Sequence, residues 1–196
     1  MTDPVDLAYL NGMYRAGADP WRIESSWYER RKRDLVLSCL PRQRYRCGFE
    51  PGCAAGALTE RLAVRTDELL ACDLSEIAVR AAAARVARLP QVRVRQLLLP
   101  EQWPTGRRFD LIVLSELGYY FTAAGWAELT SRVAAGVTAD ATVLACHWRH
   151  DFAERTASTV ALHAELDAAL GLPKQSSYTD ADLLIEVWTG QSGSLA

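Results

Sequence analysis

Seven consecutive residues, Glu50-Pro51-Gly52-Cys53-Ala54-Ala55-Gly56, have the composition of a loop that brings backbone against a ligand. Gly52 permits a tight turn and Gly56 a close backbone approach, while Cys53, Ala54 and Ala55 leave that approach unobstructed. Asp73 ends the next apolar run, where a carboxylate can accept hydrogen bonds from both hydroxyls of a ribose. The plainer alternative is two turn glycines and an aspartate capping a helix near Ser75. A dinucleotide loop carries three glycines as G-x-G-x-x-G, and here Ala54 holds the middle place. Glu50 before the loop repels a pyrophosphate but suits the ammonium of a methionine moiety. These residues favour S-adenosyl-L-methionine over NAD.

Polar groups also follow two later apolar runs. Glu116, Tyr119 and Tyr120 follow one; His147, Trp148, Arg149 and His150 follow the other. Methyl transfer from a sulfonium is an in-line displacement, so the protein has to align the acceptor and remove a proton if the acceptor arrives protonated. The i, i+3 pair His147 and His150 supplies a candidate base and its orienter, the alternative being a hydrogen-bonded structural imidazole. Without further ligands nearby, H-x-x-H argues weakly for a metal, and none is expected. Glu116 can orient or deprotonate an amine, or cap the segment after it. Tyr119 and Tyr120 can wall a sugar ring or simply pack. His163, inside a predicted helix, is expected at the surface.

Holding these groups together requires strands that alternate with helices. Residues 1–25 read as short helical turns and loop, and Ser26 with Glu29 forms a capping box opening a helix to Leu40, before Pro41. Strands are expected at Cys47–Glu50, Leu69–Asp73, Val92–Leu97, Phe109–Ser115, Thr142–His147 and Leu183–Thr189. Helices are expected at Ala57–Val64, Ile77–Leu89, Ala124–Val137 and about Ala153–Leu170. That rhythm predicts an α/β fold with a Rossmann-like, doubly wound, mostly parallel sheet, because each parallel return needs a crossover covering one face. The run Leu111-Ile112-Val113-Leu114 is apolar throughout, as befits a central strand buried on both faces.

The 196 residues, 49% hydrophobic and 23% charged, suit one globular domain: a helical segment or lid at 1–41 and a Rossmann-like domain at 42–196. The formal charge of -2 and pI of 5.9 argue against nucleic acid or an anionic membrane as partners. A small-molecule acceptor is the expected partner. The basic run Arg30-Arg31-Lys32-Arg33 reads as a solvated helix turn. Five cysteines without C-x-x-C spacing suggest buried thiols and no disulfide framework. No apolar stretch approaches the roughly 20 residues that span a bilayer, so a cytoplasmic location is expected.

Together, Glu50-x-Gly52-x-x-x-Gly56, Asp73-Leu74-Ser75 and Phe109-Asp110-Leu111-Ile112 resemble the successive motifs of the class I S-adenosylmethionine-dependent methyltransferases. Asp19-Pro20-Trp21-Arg22, Ser26-Trp27-Tyr28-Glu29-Arg30 and Gly52-Cys53-Ala54-Ala55-Gly56 resemble, more closely, the nodulation protein S family, N-methyltransferases acting on the free glucosamine amine of a chitooligosaccharide. The resemblance continues through Ser115-Glu116 to Tyr119-Tyr120. It implies that Glu50, Gly52, Cys53, Gly56 and Ser115 line the methionine and ribose region, that Asp73 holds the ribose and that Leu74 packs on adenine. It further implies that Trp21 helps close the site, with core packing as the alternative, and that Arg31 or Lys32 pairs with the methionine carboxylate. The chain departs from the resemblance at Leu97-Leu98-Leu99-Pro100, where many members carry an Asp for the adenine amino group and where backbone groups can substitute. The resulting expectation is N-methylation of an amino sugar or related amine, with catalytic candidates His147, His150, Glu116 and Tyr120. Methylation of a small-molecule hydroxyl, an NAD-dependent oxidoreductase and a silent cofactor-binding partner protein are the alternatives.

Overall fold

In the computed structural model of the chain, residues 7–17 and 19–191 are described. Helices are α1 (Leu7–Ala16), α2 (Trp27–Cys39), α3 (Ala57–Ala63), α4 (Glu76–Arg85), α5 (Ala123–Gly136) and α6 (Thr159–Leu170). Strands are β1 (Tyr45–Pro51), β2 (Thr66–Asp73), β3 (Val92–Gln96), β4 (Phe109–Ser115), β5 (Val137–Trp148), β6 (Lys174–Thr179) and β7 (Leu183–Thr189). They form one sheet in the order β3-β2-β1-β4-β5-β7-β6, parallel from β3 to β5 and antiparallel where β7 joins β5 and β6. The doubly wound α/β fold is as expected, with β4 at the centre of the sheet. No helix among the described residues is long and apolar enough to cross a membrane.

Alternation along β4 shows how both faces are covered. Leu111 and Val113 point toward Val36 of α2, Leu40 just after it, and Leu58 and Leu62 of α3, whereas Ile112 and Leu114 point toward Trp126, Leu129, Leu162 and Leu166 of α5 and α6. All four strand residues are inaccessible to solvent. Strand order reverses between β1 and β4, and that switch point leaves a crevice beyond the carboxyl ends of the two strands.

Several boundaries differ from the pattern-based reading. The N-terminal region holds a continuous helix, α1, rather than short turns; residues 1–6 and Ala18 of the expected lid lie outside the described residues. Ser26 is the N-cap of α2 but makes no side-chain cap bond, and the Glu29 carboxylate, the other half of the expected box, turns to Lys32 and Arg33. Helix α6 starts six residues later than Ala153, at Thr159, where the Ser158 hydroxyl accepts from Ala161 N–H, and the freed segment becomes a loop. β6 went unread because Lys174–Thr179 is polar and largely exposed, an edge strand without an apolar face.

The first turn of β1 depends on a side chain from β4. The Asp110 carboxylate, 3% exposed, accepts from Arg46 N–H at 2.9 Å and Cys47 N–H at 2.8 Å. Asp110→Ala leaves those two amides unsatisfied and is expected to cost about 2–4 kcal/mol in urea unfolding, with Asp110→Asn losing less. Equal stability of all three proteins would show that the amides find other partners.

Candidate functional site

The β1-α3 loop adopts the backbone its small residues permit. Gly52, Ala54 and Gly56 all have positive φ, at +74°, +46° and +80°. Gly52 and Cys53 donate their N–H groups to the Cys72 carbonyl, tying the end of β1 to the end of β2. Asp73 then accepts from Ala54 N–H at 3.0 Å and Ser75 N–H at 2.9 Å. Burial raises its carboxyl above the usual range despite these amides. The cap of α4 is Ser75, whose hydroxyl accepts from Ala78 N–H, so Asp73 is free of that duty.

Beyond these ends lies a cavity of about 990 Å³ that follows the strand order. Asp73, Leu74 and Leu97 to Pro100 line it at and after the ends of β2 and β3; Glu50, Gly52 and Cys53 at the end of β1; Ser115 and Glu116 at the end of β4; Trp148, Phe152 and Glu154 at and after the end of β5. Trp21, Lys32, Tyr119 and Tyr120 also face it. Burial pushes the Cys53 thiol far up, so it serves as a small neutral wall. The Leu98 N–H is already bonded to Gln102 Oε1 at 2.7 Å and Leu97 N–H to the Asp73 carbonyl, which removes two backbone donors from any adenine contact.

Glu50 is 3% exposed and its Oε2 has no hydrogen-bond partner. Burial pushes its carboxyl up to about 8; the Thr59 hydroxyl opposes this and Asp73 adds to it. An orphaned buried carboxyl facing a cavity is where a ligand cation belongs.

Glu116 is the contrasting case. It has φ +58°, a strained value for a side-chain-bearing residue. Its carboxylate accepts from Tyr28 Oη at 2.6 Å, from Trp148 N–H at 3.0 Å and from Tyr119 Oη, and pairs with Lys32 Nζ at 3.3 Å. Burial raises its pKa, yet Lys32 and these donors outweigh burial and hold it below the ordinary carboxylate value. Glu116 is thus a fixed negative charge and a poor proton acceptor. Lys32 in turn is held by Glu29 at 2.7 Å.

Several expectations are corrected here. Lys32 and Arg33 are 5% and 8% exposed, so the basic run is not a solvated turn. Arg31 instead leaves the site for Asp180 and Tyr178 on the β6-β7 hairpin, which leaves Lys32 of the two proposed carboxylate partners. Gly56 does not line the cavity; a Cβ there meets Ala82 at 3.0 Å, so its role is the close contact of α3 with α4. His147 is fully buried, accepts from Gly118 N–H through Nε2 at 3.0 Å and meets His163 Nε2 through Nδ1 at 2.9 Å. Burial drives its pKa well down, and neither nitrogen reaches the cavity, so it is not placed as a base. His150 pairs with Asp182 at the surface, away from His147, and the base-orienter pair does not form. His163 is 2% exposed rather than at the surface.

Reading the sequence missed Tyr28, Glu29 and Arg33. The signal was available: Glu29, Arg33, Val36 and Leu40 recur at helical spacing, and the lower two are plainly apolar. Trp21 faces the cavity, as does Tyr120, and packs edge-on against Tyr14 at 5.2 Å.

Since Glu50 holds its proton in the fold to about pH 8 and an unfolded carboxyl loses it near its ordinary value of 4.5, stability falls as pH rises between those values. Glu50→Gln escapes that loss. Its Tm advantage over wild type, measured without ligand, should grow from pH 5 to pH 8 by at least about 2–4 °C and then level off. A pH-independent difference would mean that Glu50 ionises normally.

The family model of nodulation protein S (NodS) matches residues 11–146. Nodulation protein S of Azorhizobium caulinodans is 33% identical over 103 residues, 52% of this chain and 49% of that protein. Its counterpart in Bradyrhizobium diazoefficiens is 31% identical with the same shares, so the chain spans about half the length of the curated relatives it matches. A Pseudomonas syringae protein, provisionally described as a methyltransferase, has a crystal structure that is 45% identical with a TM-score of 0.74, covering 84% of this chain and 99% of that one. The N-methyltransferase NodS from Bradyrhizobium japonicum WM9, solved with S-adenosyl-L-homocysteine, shares the fold at 23% identity with a TM-score of 0.83, covering 95% of this chain and 100% of that one. With the family model extending over most of the sequence and the fold shared, the chain belongs to the nodulation protein S family.

Proposed function

We propose that the protein is an S-adenosylmethionine-dependent methyltransferase whose acceptor is the amine of an amino sugar or a chitooligosaccharide-like molecule. The observation that carries the cofactor reading is the orphaned Glu50 carboxyl, buried beside Asp73 at the switch point of the sheet. When bound, S-adenosyl-L-methionine supplies an electrophilic methyl group on a sulfonium. Asp73 accepts from the ribose hydroxyls, Glu50 takes the ammonium, and Lys32 and Arg33 provide positive charge for the carboxylate. Leu74 and Leu98 offer apolar faces to the adenine. Ser115 and Gly52 border the methionine arm.

Beyond β4 and β5 the wall is aromatic and acidic. Tyr120, Trp148 and Phe152 present ring surfaces, while Glu116 and Glu154 carry the charge, which suits a sugar bearing an amine better than an anionic acceptor. Glu116 orients the amine electrostatically. Its hydrogen-bond set disfavours protonation, so the acceptor sheds its proton to water before enclosure. Tyr120, packed against Tyr119 and Phe152, lies along the ring.

Of the first 41 residues, α1 is the part that acts as a lid over the larger domain, since α2 packs Val36 into the core of the sheet. Tyr9 donates to Glu154 at 2.6 Å and Ser75 to Asn11 at 2.7 Å, so α1 is fastened across opposite sides of the cavity.

Calorimetric titration should give micromolar binding of S-adenosyl-L-methionine and S-adenosyl-L-homocysteine and none of NAD. Asp73→Ala should weaken the adenosyl ligands about 10–100-fold. Both ligands should also slow protease cleavage between residues 19 and 25. Binding of NAD, or an Asp73→Ala affinity equal to wild type, overturns the cofactor assignment.

Methyl transfer to chitotetraose with free amines, but not to its fully N-acetylated form, is the expected acceptor result. Glu116→Gln should reduce turnover roughly 10²-fold. Equal transfer to both tetramers would favour a hydroxyl acceptor instead.

A further inference from the structure

Behind the cavity wall lies a row of three buried, hydrogen-bonded side chains. His147 on β5, His163 on α6 and Glu186 on β7 are 0%, 2% and 9% exposed. Gly118 N–H donates to His147 Nε2 at 3.0 Å, His147 Nδ1 lies 2.9 Å from His163 Nε2, and His163 Nδ1 lies 3.0 Å from Glu186 Oε2. Lys174 Nζ, at 2.9 Å from Glu186 Oε1, closes the row at the edge of the sheet.

The first contact decides the direction of the rest. A backbone N–H can only donate, so Nε2 of His147 is bare and a neutral His147 carries its proton on Nδ1. That proton points at His163 Nε2, which must therefore accept, leaving the His163 proton on Nδ1 to be given to Glu186. Each atom has one permitted role, and an ion pair fixes the far end.

What the row holds is the turn Gly118–Tyr120. Gly118 has little room for a side chain: a Cβ there would meet His147 Nε2 at 3.0 Å, and Leu162 and Trp126 at 3.1 Å. Tyr119, the next residue, donates to Glu116, and Tyr120 faces the cavity. The turn has an independent hold on its other side, where Thr156 donates to the carbonyls of Tyr119 and Phe121.

We infer that His147, His163 and Glu186 form a directional hydrogen-bond chain that positions the Gly118–Tyr120 turn, and through it Tyr119, Tyr120 and Glu116, for the acceptor. His163 and Glu186 are thereby positioning residues that touch no ligand. If His163 is removed, the His147 Nδ1–H is left without an acceptor in a solvent-free interior, so the ring is no longer held in the orientation that meets Gly118 N–H and the turn loses that anchor. The inference rests on reading the cavity as a methyl-transfer site, but its first consequence, the state of Gly118, does not.

The test compares His163→Ala and His163→Met with His163→Gln, whose amide can both accept from His147 and donate to Glu186. Amide exchange at Gly118 and the ¹⁵N shifts of His147 are read by NMR, S-adenosyl-L-homocysteine affinity by calorimetry, and turnover on free-amine chitotetraose with labelled methyl donor. Loss of Gly118 protection and a turnover drop of about 10–100-fold are expected in Ala and Met, with adenosyl affinity within about twofold of wild type and recovery of both in Gln. Should Ala fail to fold, the Met and Gln pair decides, because Met fills the space without an acceptor. Unchanged Gly118 protection in folded Ala or Met, or failure of Gln to recover it, overturns the inference. If wild type does not methylate the tetramer, the acceptor reading fails, and Gly118 exchange with the His147 shifts alone decides this one.

Discussion

A carboxylate taken out of water has to be surrounded by donors, and the surroundings of Glu116 organise this protein. Tyr28 and Lys32 reach it from α2, Tyr119 from the turn after β4, and the Trp148 N–H from the end of β5. Each contact is a modest gain by itself, but removing any one leaves the charge less well paired, so the three elements are fixed with respect to each other. Lys32 is as dependent on Glu116 and Glu29 as they are on it: burial lowers its pKa, and the two carboxylates more than reverse that. The αL backbone of Glu116 persists because this surrounding set over-determines it.

Glu50 lies at the opposite electrostatic extreme within the same cavity. It has been desolvated without receiving a cation, and the cost is stored as a proton held to about pH 8. Such a residue weakens the empty protein and gains when a cationic ligand arrives, which is the usual relation between stability and binding at a preorganised site. The two glutamates divide the work along the sheet edge, one at the end of β1 without a cation and one beyond β4 held as a fixed negative charge by Lys32 and three hydrogen-bond donors.

The chain's own hydrogen-bonding logic explains why histidine spacing misled. His147 and His150 are three residues apart in sequence, yet His147 is still within β5, pointing into the layer under α6, while His150 lies past the strand at the surface. In a strand the side chains alternate between faces, so a short spacing at a strand end carries no promise of proximity. The partner that His147 does find, His163, comes from a helix sixteen residues on.

The order of strands and helices, the central burial of Leu111–Leu114 and the Glu50–Gly56 loop with Asp73 were all legible in the sequence, because periodicity and glycine placement are local properties of the chain. Polar β6, the late start of α6 and the unformed Ser26 capping box were not, since a neighbour takes part in each: β7 beside β6, Ser158 at the start of α6, and Lys32 and Arg33 as the partners of Glu29. The sequence by itself determined which residues could bear charge near the switch point. Only the tertiary structure decided which of them were neutralised, which were left orphaned and which were sealed away, because ionisation and reach depend on solvent exclusion and on partners distant in the chain.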